Sequence, residues 1–139
     1  MGLVGDAFEL ALSAHAGQTD KAGAPYIAHV VRVTARADGD LQKVVALLHD
    51  VVEDCDVPLS RIEQAFGSEV AGAVDAITRR DGEEPDAYYA RVTANPLARS
   101  VKLCDIADNA DPARLALLPE ADRHRLEQKY TKARAALGA

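Results

Sequence analysis

The stretch Ala46-Leu47-Leu48-His49-Asp50-Val51-Val52-Glu53-Asp54 decides how the rest of the chain is read. On a helix turning by about 100° per residue, His49, Asp50, Glu53 and Asp54 fall within an arc of roughly 140°. Val44, Val45, Leu48, Val51 and Val52 fill most of the remaining surface. A helix this apolar is buried, and a buried carboxylate is costly unless it is paired or bound to a cation. No run of Lys or Arg stands close by, so a metal ion is the simplest partner for the polar face. The plain alternative is that His49 and Asp50 only cap or bridge neighbouring helices.

Working outward, the spacing of apolar residues predicts an all-α chain. Val4, Ala7, Phe8, Ala11 and Leu12 follow a helical period through Ala16. Gly17 and Gly23 bracket a loop. Pro25 opens a second helix towards Ala37, at a position where its missing N–H costs nothing. The deciding stretch then belongs to one continuous helix from Leu41 to about Glu53. A short helix runs from Pro58 through Phe66, is stopped by Gly67, and is followed by one from Val70 to Ile77 with Ser68 as its cap. Residues 79–86 read as a loop, Tyr88 to Val92 as a helix ending before Pro96, Leu97 to Ala107 as another, and Glu120 to Leu137 as the last. The valine pairs Val30-Val31, Val44-Val45 and Val51-Val52 hint at strands. Their helical flanks and the lack of alternation argue against that.

With 139 residues, 48% of them hydrophobic, the chain fits one domain with a packed core. That domain is expected to span 1–139, with a motif-bearing part over about 7–110 and a C-terminal helix over about 120–137. Aromatics make up only 4%, a mixture suited to closely packed helices. No apolar run approaches the roughly 20 residues of a membrane span. Nor does the N-terminus show a basic stretch followed by a long apolar core. A cytoplasmic location is the expectation. A net charge of −6 argues against a nucleic-acid binder, which needs a basic face. Cys55 and Cys104 lack C-x-x-C spacing and read as reduced, partly buried thiols.

Two further segments join the deciding one. Pro25-Tyr26-Ile27-Ala28-His29 places a second imidazole one turn into the preceding helix. Val101-Lys102-Leu103-Cys104-Asp105-Ile106-Ala107-Asp108-Asn109 places Asp105 inside another apolar helix. Two histidines and two carboxylates form a donor set suited to manganese, iron(II) or zinc.

The order His29, His49-Asp50, Asp105 resembles the H…HD…D signature of the HD superfamily of metal-dependent phosphohydrolases. The wording is closer still to the hydrolase domain of RelA/SpoT proteins and to small stand-alone metazoan SpoT homologues. The matching text is Ala14-His15-Ala16-Gly17-Gln18-Thr19-Asp20-Lys21 through His29, then Leu47 through Asp54. Phe66-Gly67-Ser68-Glu69-Val70, Val74 to Arg79, and Lys102 to Asn109 follow in order. The resemblance implies an HD-domain helical bundle whose metal, manganese above all, is held by His29, His49, Asp50 and Asp105. It implies that Glu53 and Asp54 position and deprotonate the attacking water, and that Lys21 and Asn109 contact the nucleotide or its phosphates. The implied substrate is a phosphorylated nucleotide, first among them the 3′-pyrophosphate of the (p)ppGpp alarmones.

Outside these roles, His15 reads as a packing residue against the loop, Lys102 as either a solvated residue or a phosphate contact, and His124 as a surface residue. The departures from the pattern fall on recognition. Asp20 stands where a basic residue precedes the lysine, Ala22 where serine is frequent, and Ile106 and Asp108 where arginine and histidine are expected. Asp111-Pro112 replaces a basic-polar pair. If Asp20 and Asp108 line a phosphate pocket, they repel a polyanion, and Asp20→Arg improves (p)ppGpp hydrolysis. An HD phosphohydrolase acting on another nucleotide or phosphomonoester is therefore the second reading. A catalytically idle domain that binds a nucleotide is a third, and a metal-free helical interaction domain a fourth.

Overall fold

The computed structural model describes residues 2–139, and among them every regular element is helical. In chain order these are α1 (Leu3–Ala14), α2 (Tyr26–Arg36), α3 (Gly39–Leu48), α4 (Val51–Cys55), α5 (Leu59–Phe66), α6 (Ser68–Ile77), α7 (Pro85–Ala94), α8 (Pro96–Asn109), α9 (Pro112–Leu115) and α10 (Glu120–Ala136). The all-α expectation holds. None of the described helices is long and apolar enough to cross a membrane.

The core is centred on α3, which packs against α1, α2, α6 and α8. Val44, Val45, Ala46, Leu47 and Leu48 are all buried, so this helix is covered on nearly every side. Burying each of its Val and Leu side chains stabilises the fold by roughly 1.5–3 kcal/mol. On α6, Ala71, Ala73 and Ala76 are buried between Val70, Val74 and Ile77, and their small side chains let the helix come close to its neighbours.

The predicted helix from Leu41 to Glu53 is two helices, which is a correction to the continuous arc. At the break, His49 Nδ1 donates to the carbonyl of Ala46 at 2.6 Å. In an unbroken helix that carbonyl accepts from the N–H of Asp50. The imidazole takes the acceptor, Asp50 settles at φ −112°, ψ −1°, and α4 restarts at Val51. The Asp54 amide then returns to the Asp50 carbonyl at 2.9 Å. His49 and Asp50 thus sit on a kink at the end of the most buried helix.

Other boundaries shift for local reasons. Ser68 is the first residue of α6 and makes no side-chain cap; Gly67, at φ 93°, supplies the turn from α5. Pro85 starts α7 within the predicted loop, and α9 was not foreseen. Its start is set by Asp111, whose side chain accepts from the Ala113 amide at 2.9 Å, with Pro112 in the first helical position. The loop between α1 and α2 is closed by an isolated antiparallel bridge between Thr19 and Pro25. The Tyr26 amide donates to Gln18 and the Asp20 amide to Ala24, each at 2.8 Å.

Candidate metal centre and the cavity it opens on

Packing of α2 against α3 and α8 brings His29, His49 and Asp105 together, with ligand atoms within 4.8 Å of one another. Both imidazoles are 1% exposed and Asp105 is buried. His29 Nδ1 donates to Asp108 at 2.7 Å, which leaves Nε2 facing Asp105 Oδ1 at 2.9 Å. His49 Nδ1 is committed to the Ala46 carbonyl, so its Nε2 carries the lone pair. That nitrogen is buried without a hydrogen-bond donor and lies 3.1 Å from Asp50 Oδ2 and 3.4 Å from Asp105 Oδ1.

An imidazole nitrogen facing two carboxylate oxygens in a buried place takes a cation between them, either a proton or a metal ion. Burial works against charge on His49, yet the Asp50 and Asp105 carboxylates raise its proton affinity well above that of a free histidine. Burial also opposes ionisation of Asp105, but Lys102, His29 and His49 hold its carboxyl well below the usual range. Imidazole nitrogens and ionised carboxylates are the donors a divalent transition metal takes, so these residues fit one. Asp50 is not in the tight group of three. It stands beside His49, accepts a hydrogen bond from the Tyr26 hydroxyl, and keeps its carboxyl ionised against the cost of burial through His49.

The centre opens on a cavity of about 570 Å³. Glu53 and Asp54 line it beside Asp50 and Asp105, so the sequence places them on the same wall despite the broken helix. Glu53 accepts from the Arg79 amide at 2.7 Å. Burial, then the charges of Asp50 and Glu53, push the Asp54 carboxyl up. Lys21 and Asn109 also line the cavity. Asn109 is held on both sides, donating to Asp105 at 3.2 Å and accepting from Arg114 at 3.1 Å.

Asp108 corrects an expectation. It does not line the cavity; it is fully buried and accepts from His29, Arg32 at 2.8 Å and Arg114 at 2.8 Å. A carboxylate behind a ligand imidazole fixes its tautomer and raises its basicity. Asp20 does line the cavity, but its charge is matched by Arg114 Nη2 at 3.0 Å. The repulsive pair expected from the sequence is internally neutralised.

His15 is buried against the loop as expected, with Nδ1 2.7 Å from Gln18 Oε1 and 3.3 Å from Cys55 Sγ. Burial and then the neighbouring acids push the Cys55 thiol up, so it stays protonated. Lys102 is largely buried and paired with Asp105 Oδ2 at 2.9 Å. His124 is exposed. Tyr26, Arg32, Arg114 and Lys129 belong to the cavity without having been singled out. Tyr26 lies inside the quoted Pro25–His29 stretch, whereas Arg114 and Lys129 carry no motif signal.

The family described as HD domain matches residues 7–123. A guanosine-3′,5′-bis(diphosphate) 3′-pyrophosphohydrolase of Vibrio cholerae is 36% identical over 130 residues, covering 84% of this chain and 18% of that protein. One of the same name from Aquifex aeolicus is 33% identical over 115 residues, covering 74% and 16%. The chain thus spans less than a fifth of the length of these curated relatives. Among solved structures, a metazoan ortholog of SpoT described as hydrolysing ppGpp superposes with a TM-score of 0.82 at 24% identity, over 99% of this chain and 86% of that one. At that identity the likeness is one of fold. The match over residues 7–123, on a helical frame that gathers the two histidines and Asp105, makes this chain a member of the HD-domain family.

Proposed function

We propose that the chain is a metal-dependent phosphohydrolase of phosphorylated nucleotides, with guanosine 3′,5′-bis(diphosphate) as the first substrate and its 3′-pyrophosphate as the group removed. The observation that carries this reading is the buried His49 Nε2, facing two carboxylates at the floor of a nucleotide-sized cavity. The names of the relatives supply the substrate. His29, His49 and Asp105, joined by Asp50, would hold the ion, with manganese as the leading metal and iron(II) or zinc as alternatives. When bound, such an ion supplies Lewis acidity for phosphoryl transfer to water.

The remaining roles belong to the chain. Glu53 and Asp54 accept the proton of the attacking water. The raised proton affinity of Asp54 brings it closer to the operating pH, where a general base is most effective. The water oxygen bonds to phosphorus as the P–O bond to the ribose 3′ oxygen breaks; pyrophosphate carries the water oxygen, and the ribose oxygen takes up the proton that the carboxylates received and becomes a hydroxyl. Lys21 and Lys129 line the cavity without a carboxylate partner among the described residues, and serve the substrate's phosphates. Leu115, Leu117, Leu118 and Leu126 provide an apolar wall for the base. We take residues 1–139 as one HD domain, acting in the cytoplasm on a small molecule and not on nucleic acid.

The cavity's cation supply favours a second reading. Arg32 and Arg114 are engaged by Asp108 and Asp20, so only the two lysines remain for a polyanion. A nucleotide bearing a single phosphoryl group needs no more. Turnover of a nucleotide panel, with manganese and with chelator, decides. Release of pyrophosphate from guanosine 3′,5′-bis(diphosphate) supports the first reading, inorganic phosphate from monoesters the second. No turnover of any nucleotide in the loaded protein overturns both.

A further inference from the structure

Two of the acids that depart from the resembled motif, Asp20 and Asp108, turn towards one guanidinium. Arg114 Nη2 donates to Asp20 Oδ2 at 3.0 Å, and Nη1 donates to Asp108 Oδ2 at 2.8 Å and Asn109 Oδ1 at 3.1 Å. On the first side, Asp20 Oδ1 accepts the amides of Ala22 and Ala24, each at 2.9 Å, and so closes the loop that carries Lys21. On the second side, Asp108 holds His29, and Asn109 holds Asp105. The guanidinium itself is well anchored, because α9 is capped by Asp111 and pinned by the buried Leu115. Its planar fork reaches Asp108 and Asn109 from Nη1 and Asp20 from Nη2, a span between two nitrogens that the single nitrogen of an ammonium does not offer.

We propose that Arg114 is a positioning residue that locks the Lys21 loop to the imidazole of His29, fixing the distance between the loop's lysine and the metal ligands. The proposal rests on the reading of the metal centre given above. Because two carboxylates neutralise it, Arg114 does not itself serve as a phosphate seat. The acids at 20 and 108 are then the two ends of one strap.

The strap has two arms that can be cut separately. Asp20→Asn weakens the loop arm, Asp108→Asn weakens the metal arm, and Arg114→Ala cuts both. Three readouts follow each variant: amide hydrogen exchange over residues 17–24, manganese affinity, and KM against kcat on the best nucleotide. Asp20→Asn is expected to speed loop exchange and raise KM, with manganese affinity unchanged. Asp108→Asn should weaken manganese by about 10–100-fold, the usual cost of losing a carboxylate behind a ligand histidine, with loop exchange unchanged. Arg114→Ala should do both, and Arg114→Lys should restore one arm in part. Should Arg114→Ala fail to fold by circular dichroism, Arg114→Lys and the single-arm variants carry the test. Arg114→Ala with loop exchange and manganese affinity of the parent protein overturns the proposal, whether KM rises, as for a direct phosphate ligand, or stays put. Exchange and metal binding need no substrate, so absent turnover sinks only the hydrolase reading. A parent protein that takes up no manganese removes the metal centre and the strap's purpose together.

Discussion

The two walls of the cavity are built differently. The metal wall comes from α2, α3 and α8, where both histidines are buried on helices that also bury Val30, Val33, Val44, Val45 and Leu48. The facing wall comes from the loop over residues 17–24, α9 and the middle of α10, with exposed Lys21, Leu117 and Lys129 among its lining. On the first wall, desolvation forces each polar group to find a partner, so position and identity are tightly constrained. On the second, a few polar bonds hold short segments, and a change of residue is answered by another nearby. On the function proposed above, chemistry belongs to the buried wall and choice of substrate to the other.

The sharpest way to break this contrast is to empty the buried wall. His49→Ala or Asp105→Ala should abolish both stoichiometric manganese binding and hydrolysis, because the small donor set leaves no redundancy. Elemental analysis of the purified variant checks it, and a His49→Ala protein with full metal content ends the assignment. His29→Ala is expected to behave alike. Next in size, Glu53→Gln and Asp54→Asn should keep the metal and lower kcat by about 10²–10⁴, the contribution of a positioned general base. Neutral outcomes at both positions would move water activation elsewhere.

Stability offers a matched pair of leucines. Leu48 is fully buried at the end of α3, and Leu48→Ala should cost roughly 2–5 kcal/mol. Leu117 is 71% exposed, and Leu117→Ala should stay within about 0.5 kcal/mol of the parent. Denaturant unfolding of the two variants measures the difference. Comparable losses would mean that the facing wall is as firmly packed as the metal wall.

What could be read from the sequence follows the same division. His29, His49 and Asp105 were legible because each interrupts an apolar helical pattern, and the pattern fixes where helices bury themselves. Glu53 and Asp54 line the same cavity as Asp50 and Asp105 although the helix breaks at His49. The break itself was invisible, since it comes from a side chain competing for the Ala46 carbonyl and not from a Gly or Pro. Asp20 and Asp108 were legible as departures but not as partners, because Arg114 meets them only in three dimensions, 94 and 6 residues away in the chain. The expected benefit of Asp20→Arg is therefore reversed. An arginine there faces Arg114 and loses the bonds to Ala22 and Ala24, together costing roughly 1–2 kcal/mol. KM should rise on the order of tenfold; an improved KM would restore the sequence expectation.

The smallest effects test the facing wall most directly. Lys21 and Lys129 approach the cavity from the loop and from α10, each exposed and neither in an ion pair among the described residues. A solvent-exposed charge beside a phosphate is worth about 1 kcal/mol, so Lys21→Ala and Lys129→Ala should each raise KM roughly fivefold with kcat and manganese affinity unchanged. The effect should shrink as salt rises, since screening reaches these lysines and not the buried centre. For a nucleotide with phosphates at both ends, the double variant should show the sum of the two free-energy losses. If a singly phosphorylated nucleotide is the true substrate, one lysine should matter and the other should not. The lysine pair thus separates the two readings of the substrate without touching the metal.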